Sequence, residues 1–187
     1  SFLGDLKKKM GPGRYLSVAL PARRKDVNDA YPYAPIAAVA DRVIIMAYDQ
    51  HWSGSAPGPV AGLSWCGEVS AYAKSRIPGE KLVMGLPLYG RAWQSVGLAR
   101  AVVHDYMQKL LGEKQATVDY SKESGPSVSY DEKVTVRIFF NTIDSVLERV
   151  RLYAEHKTGA IAFWRIGQGD PGLWKHLSIV TSGGEKK

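Results

Sequence analysis

Three phrases of the sequence put residues capable of chemistry at the end of an apolar run. Val43-Ile44-Ile45-Met46-Ala47 gives way to Tyr48-Asp49-Gln50-His51-Trp52. Lys81-Leu82-Val83-Met84-Gly85-Leu86 runs into Pro87-Leu88-Tyr89-Gly90-Arg91. Ala160-Ile161-Ala162 ends in Phe163-Trp164. Taken singly, each polar or aromatic end has a structural reading. Tyr48 could be a core tyrosine with a satisfied hydroxyl, Asp49 a helix cap, Arg91 a surface cation and Trp164 packing. Taken together, three strand ends of this kind favour a site. A sugar ring has apolar faces on which aromatics stack and hydroxyls that Asp, Arg and Tyr can bond, so this set suits a carbohydrate pocket.

The elements that must position these residues follow from the pattern. A short, wholly apolar run rich in β-branched residues is a strand buried on both faces, as in a parallel sheet covered by helices. Such folds place their chemistry at the C-terminal strand ends. An amphipathic helix is predicted over residues 2 to 10, stopped by Gly11-Pro12-Gly13, then a strand over Leu16 to Ala22 with Pro21 near its end. A short helix over Pro35 to Asp41 leads into the central strand. The loop Ser53 to Pro59 and a helix over Trp65 to Arg76 follow. Strands alternating with helices at this spacing indicate βαβ units. The rhythm then breaks: a helix is expected over Leu98 to Leu111, and short strands over Ala116 to Tyr120, Ser127 to Asp131 and Thr135 to Phe140. Turns are expected at Ser124-Gly125-Pro126 and Asp131-Glu132-Lys133. Asn141 is expected to cap a helix over Thr142 to His156, whose apolar face is Ile143, Val146, Leu147, Val150 and Tyr153 or Ala154. A last strand over Ala160 to Gly167 and a short helix near Gly172 to Leu177 complete the chain.

Composition removes several classes. With 187 residues, 45% hydrophobic and 23% charged, the chain has the makings of a globular core. No run approaches the roughly 20 apolar residues of a membrane span, and Ser1 to Lys9 does not read as a signal peptide. Cys66 is the only cysteine, which excludes an internal disulfide and reads as a buried structural thiol. The net charge is +7, with clusters at Lys7 to Lys9, Arg23 to Lys25 and Lys186-Lys187. These read first as solvated surface, second as affinity for an anionic polymer such as a bacterial wall, and third as nucleic-acid binding, for which no motif is present. No metal-ligand spacing, cofactor motif or nucleophile elbow occurs; His51 and His104 are isolated.

"VIIMAYDQHW", "KLVMGLPLYGRAW" and "GAIAFWRIG", in this order and spacing, resemble the sixth, seventh and eighth strands of the family-18 glycoside hydrolases, chitinase-like (β/α)8 barrels. "YLSVALPAR" resembles the fifth strand. "DYSKESGPSVSYDEKVTVRIFFNTIDSVLERV" resembles the segment between strands seven and eight in the spore-cortex and germination branch, which acts on N-acetylglucosamine-containing peptidoglycan. The resemblance implies an α/β fold, the C-terminal half of a TIM barrel. Residues 1–94 would hold strands five to seven and 95–138 a small α+β insertion. Residues 139–182 would hold the last helix, strand eight and a terminal helix, and 183–187 a disordered tail.

It also implies substrate-assisted, retaining hydrolysis of β-linked N-acetylglucosamine polymers, an exception to the two-carboxylate scheme. Tyr48 matches the tyrosine that bonds the attacking acetamido group and Asp49 its neighbouring aspartate. Met46, Trp52, Tyr89, Arg91 and Trp164 match substrate-binding positions, with Trp164 as the floor of the reacting sugar's subsite. No cofactor or metal is implied, and the place of work would be a cell envelope, a spore or the extracellular space.

The chain departs from the family in one respect. The family's proton donor lies in D-x-x-D-x-D-x-E at the end of strand four, and that motif is absent. Asp26-x-x-Asp29 is followed by Tyr31 and Tyr33 where Asp and Glu should stand. A full barrel takes about 250 residues, so the expectation is a half-barrel that starts after the motif and is inactive alone. Its two edge strands and one apolar sheet face would be hidden by self-association or by an N-terminal half-barrel. Two rival readings are a non-catalytic glycan-binding or scaffold module built on a hydrolase relic, and an unrelated α/β hydrolase using Asp49 as base with His51 or His104.

Overall fold

The structure is a computed structural model that describes residues 1–94, 99–131 and 135–178. In chain order the elements are α1 (Phe2–Met10), β1 (Ser17–Pro21), α2 (Tyr33–Val39), β2 (Arg42–Met46), α3 (Leu63–Arg76), β3 (Leu82–Pro87), β4 (Gly90–Gln94), β5 (Arg100–Val102), α4 (His104–Lys114), β6 (Val118–Ser121), β7 (Gly125–Asp131), β8 (Thr135–Phe139), α5 (Ile143–Glu155) and β9 (Ala160–Trp164). They form two sheets. One is parallel, in the order β1-β2-β3-β9; the other is antiparallel, in the order β5-β4-β8-β7-β6.

Register sorts the parallel sheet into two unlike faces. Leu20, Ile45, Met84 and Ile161 stand side by side, and the first three are buried with Val43, Leu82 and Leu86 beneath α2, α3 and α5. Helix α3 contributes Cys66, Val69 and Ala73, a 3.6-residue stripe. Ala19, Ile44, Val83 and Ala160 form a row on the opposite face, which no described element covers. β1 and β9 are the sheet's edges. The antiparallel sheet has its own core, where Met107 and Leu110 of α4 meet Val102, Val128 and Ile138.

Several expected elements move. The predicted strand over residues 81–91 is two strands: β3 stays in the parallel sheet, while β4 turns into the antiparallel sheet and pairs with β8. The predicted helix from Leu98 begins only at His104, because Arg100 to Val102 pairs with β4 instead. Leu98, the 132–133 part of the predicted turn and the 183–187 tail lie outside the described residues. The cap of α5 is Thr142, whose Oγ accepts from Ser145 N while Ser145 Oγ accepts from Thr142 N. Asn141 instead donates through Nδ2 to Pro87 O at 3.3 Å and Tyr89 O at 3.2 Å. Tyr153 takes the last core position of α5, and Ala154 is exposed. The final strand stops at Trp164, which a cis peptide bond joins to Arg165.

Two polar devices join the sheets. Arg149 lies on the core side of α5, only 1% exposed. Its Nε donates to Ala61 O at 2.7 Å, Nη1 to Ser145 O at 2.6 Å and Nη2 to Glu123 O at 3.5 Å. Helix α3 has Gly62 at its cap position and hence no capping side chain of its own. Glu123, on the β6–β7 turn, supplies one: its carbonyl accepts from Leu63 N at 2.6 Å and its carboxylate from Ser64 N at 2.9 and 3.0 Å. A carboxylate there also complements the positive end of the helix dipole.

Replacing Arg149 by Ala should lower stability on the order of 3 kcal/mol in urea unfolding, because it opens a cavity and strands buried carbonyls. Asp41 behaves differently. Its carboxylate accepts from the Lys7 ammonium and from Leu16 N, which holds its pKa below the ordinary value. A depressed folded pKa gives stability that is present above the unfolded value, about 3.9, and lost as pH falls through the folded one. Asp41→Asn should therefore be less stable than the parent near neutrality, and the gap in melting temperature should close in acid.

Candidate active site

The candidate residues gather where the parallel strands end. β2 finishes at Met46, and the chain carries Tyr48 back over the sheet. Tyr48 fits because residue 85 is glycine: a Cβ there would lie 3.0 Å from Tyr48 Cε1 and 2.9 Å from Ile45 O. A glycine inside an apolar run is a sequence signal of close approach. The Tyr48 ring meets the Tyr89 ring edge to face, with centroids 6.3 Å apart.

Asp49 is in the left-handed region, φ 58°, which Asp tolerates better than most residues. Its Oδ1 accepts from Tyr89 Oη at 2.6 Å and from Arg91 Nη2 at 2.5 Å. The Arg91 guanidinium also lies 5.8 Å from the Tyr89 ring centroid. Among the described residues, Asp49 Oδ2 and the Tyr48 hydroxyl have no hydrogen-bond partner. Burial, and then the Asp49 charge, push the Tyr48 phenol above its ordinary pKa. Burial, and then the Asp49 carboxylate that accepts its hydrogen bond, push Tyr89 up further. Both phenols are therefore proton-bearing donors at neutral pH.

Trp164 ends β9 beside Pro87 and is 55% exposed. Its carbonyl accepts from Leu88 N at 2.8 Å. Met46, Tyr48 and Trp164 line a concavity of about 380 Å³ on the uncovered sheet face, together with Ala19, Ile44 and Gly85. Asp49, Tyr89 and Arg91 adjoin it through Tyr48. Trp52 stands apart, 57% exposed on the loop after β2 and packed on Gly54. That loop is tied to the antiparallel sheet by Trp93 Nε1, which donates to Ser55 O at 3.0 Å.

Neither histidine of the rival reading reaches Asp49. His51 Nδ1 lies 2.8 Å from Pro59 O, and His104 Nε2 lies 3.7 Å from Asp170. Asn141, expected from the sequence only as a helix cap, and Gly85, expected only as part of an apolar run, support the site from behind. Among the described residues no group of His, Cys, Asp or Glu is placed to hold a metal ion, and no helix is long and apolar enough to cross a membrane.

Residues 1–169 match the family model described as glycosyl hydrolases family 18. YdhD of Bacillus subtilis, which carries the name of a sporulation-specific glycosylase, is 31% identical over 96% of this chain and 46% of its own length. The cortical fragment-lytic enzyme of Bacillus anthracis is 27% identical over 94% of this chain and 44% of its own. The crystal structure of the Bacillus cereus spore cortex-lytic enzyme SleL superposes with a TM-score of 0.87 at 28% identity, covering 93% of this chain and 43% of that one. The chain thus spans about half the length of the curated relatives it matches. With these neighbours, the helix-backed parallel sheet is consistent with part of a TIM barrel.

Gly85→Ala should cost about 1–3 kcal/mol in urea unfolding, since its new methyl group must displace either the Ile45 carbonyl or the Tyr48 ring.

Proposed function

This chain belongs to glycosyl hydrolase family 18, and from that premise we propose that it forms part of a glycoside hydrolase site for β-linked N-acetylglucosamine polymers, peptidoglycan or a chitin-like chain. The observation that carries the proposal is that the Tyr48 hydroxyl, in one concavity with the exposed Trp164 ring, and the adjoining Asp49 Oδ2 have no hydrogen-bond partner among the described residues. In this reading β1, β2, β3 and β9 are barrel strands five to eight, and residues 95–138 are inserted between the last two. The work is done in a spore or cell envelope, as the names of the relatives suggest.

The chemistry is substrate-assisted and retaining. The substrate's acetamido oxygen attacks C1 as the C1–O bond to the leaving sugar breaks. A carboxylic acid protonates the leaving oxygen, and water then opens the cyclised intermediate from the other side, so two inversions restore the configuration. Tyr48 donates a hydrogen bond to the acetamido oxygen and fixes its line of attack, the kind of positioning that converts a wandering group into a near-attack one. Asp49 accepts from the acetamido N–H through Oδ2, and stabilises the positive charge that develops as the ring closes. Tyr89 and Arg91 hold Oδ1, so that Oδ2 is presented in one direction. Trp164 stacks beneath the sugar ring. Met46 lines the same concavity, and Trp52 meets a neighbouring sugar from its loop.

The proton donor is supplied by the part of the relatives' length that this chain does not span. A general acid is worth roughly 10²–10⁴-fold, so the 187 residues alone do not turn over substrate. The test is binding and turnover measured together by calorimetry and an aryl N-acetylglucosaminide assay. A thiazoline mimic of the cyclised intermediate should bind the chain more tightly than N-acetylglucosamine does, since sites favour the shape of the reacting state. Tyr48→Phe should abolish that preference, and Trp164→Ala should weaken both ligands. Equal affinity for the two ligands would favour a glycan-binding module without catalytic design, and turnover by the chain alone would refute the assignment of the proton donor.

A further inference from the structure

The parallel strands begin at one pole of the molecule and end at the other. The candidate site occupies the ending pole, where Arg91 pairs with Asp49, Arg23 with Asp29 and Arg24 with Glu68, while among the described residues Lys25 and Arg165 have no carboxylate partner. The starting pole gathers its cations more closely. Lys7, at the end of α1, donates to Arg14 O at 3.0 Å and pairs with Asp41. Asp41 in turn holds Leu16 N and directly precedes Arg42, the first residue of β2. These bonds draw the last turn of α1, the approach to β1 and the start of β2 into one surface. Asp41 is already engaged by Lys7. Lys8, Lys9, Arg14 and Arg42 are exposed beside it and have no carboxylate partner among the described residues. The dipole of α1 accounts for lysines in its last turn, but not for Arg14 or Arg42, which lie outside any helix.

We propose that this basic pole binds a phosphodiester polymer of the cell wall, which would hold the enzyme on its substrate while the opposite pole remains open to glycan. Arginine's planar fork matches phosphate oxygens, and clustered cations bind a polyanion by releasing its counterions. The patch is made of a helix end and loop ends, with no projecting helix or strand pair to enter a nucleic-acid groove. Tyr15, exposed beside Arg14, is one stacking surface where single-stranded nucleic acid uses a series. The choice of a wall polymer rests on the glycosidase reading above. Its test reads retention rather than cleavage, so the two can fail separately.

Purified chain is sedimented with Gram-positive wall sacculi, either intact or stripped of phosphodiester polymers by hydrofluoric acid. Retention on intact sacculi at about 50 mM NaCl should fall at least roughly tenfold by about 300 mM, and this salt-sensitive retention should be absent on stripped sacculi, where only binding through the glycan site is left. The triple variant Lys8→Glu/Lys9→Glu/Arg14→Glu should lose roughly tenfold in retention at low salt. Lys109→Glu/Lys122→Glu/Lys175→Glu, an equal charge change on other surfaces, should retain the parent's behaviour. If the glutamate triple does not fold by circular dichroism, the glutamine triple at the same positions replaces it. Equal loss in both sets, salt-sensitive retention on stripped sacculi, or complete displacement by duplex DNA at phosphate concentrations where soluble poly(glycerol phosphate) has no effect would each overturn the proposal.

Discussion

Between Pro87 and Gly90 the chain leaves one sheet and enters another, and the rest of the structure depends on how that crossing is held. Leu88 N bonds Trp164 O, and Asn141 binds the carbonyls of Pro87 and Tyr89. The Tyr89 hydroxyl is fixed on Asp49. Gly90 admits the partner strand: a Cβ there would lie 2.5 Å from Phe139 O. Four residues thus connect the end of β2, the end of β9, the start of α5 and the antiparallel sheet. The side chains of the candidate site are preorganised because the backbone that presents them is tied from four directions.

The pairing of acid and cation within the site has the same economy. One oxygen of Asp49 takes both Tyr89 and Arg91, and the other has no partner among the described residues. Were both oxygens engaged, the carboxylate would be a structural brace only. Were neither engaged, a half-exposed Asp would sample several rotamers. Sharing one oxygen orients the group and still leaves an acceptor pointing away from its supports.

Much of this was legible in the sequence. The apolar runs ending at Tyr48, Tyr89 and Trp164 are wholly buried or half-buried strands, and they do meet along one rim. The strand–helix alternation to Arg76 and the helix to His156 follow from hydrophobic period, which reports burial directly. What pattern could not convey was nonlocal. Leu82 to Tyr89 reads as one run of strand-forming residues that continues into Gly90-Arg91, and only pairing with β8 decides where it changes sheet. Arg100 to Val102 is drawn into a strand by β4. Arg149 breaks the apolar stripe of α5 because carbonyls from residues 61 and 123 surround it, distant groups that no local period reveals. Asn141 reads as a cap by type, yet its amide is taken by residues 87 and 89, and the threonine beside it caps the helix.

The capping of α3 by Glu123 bears on the order in which the molecule can assemble. The first turn of that helix is completed by a residue 59 positions further along the chain, so it has no satisfied end until the β6–β7 hairpin has formed and docked. Local helix formation and long-range sheet pairing are therefore coupled in this protein. The loop-closure cost of that contact must be met before the helix gains from it. Residues 1–80, emerging ahead of the second sheet during synthesis, would carry an α3 with a frayed start and wait for that sheet to arrive before becoming native.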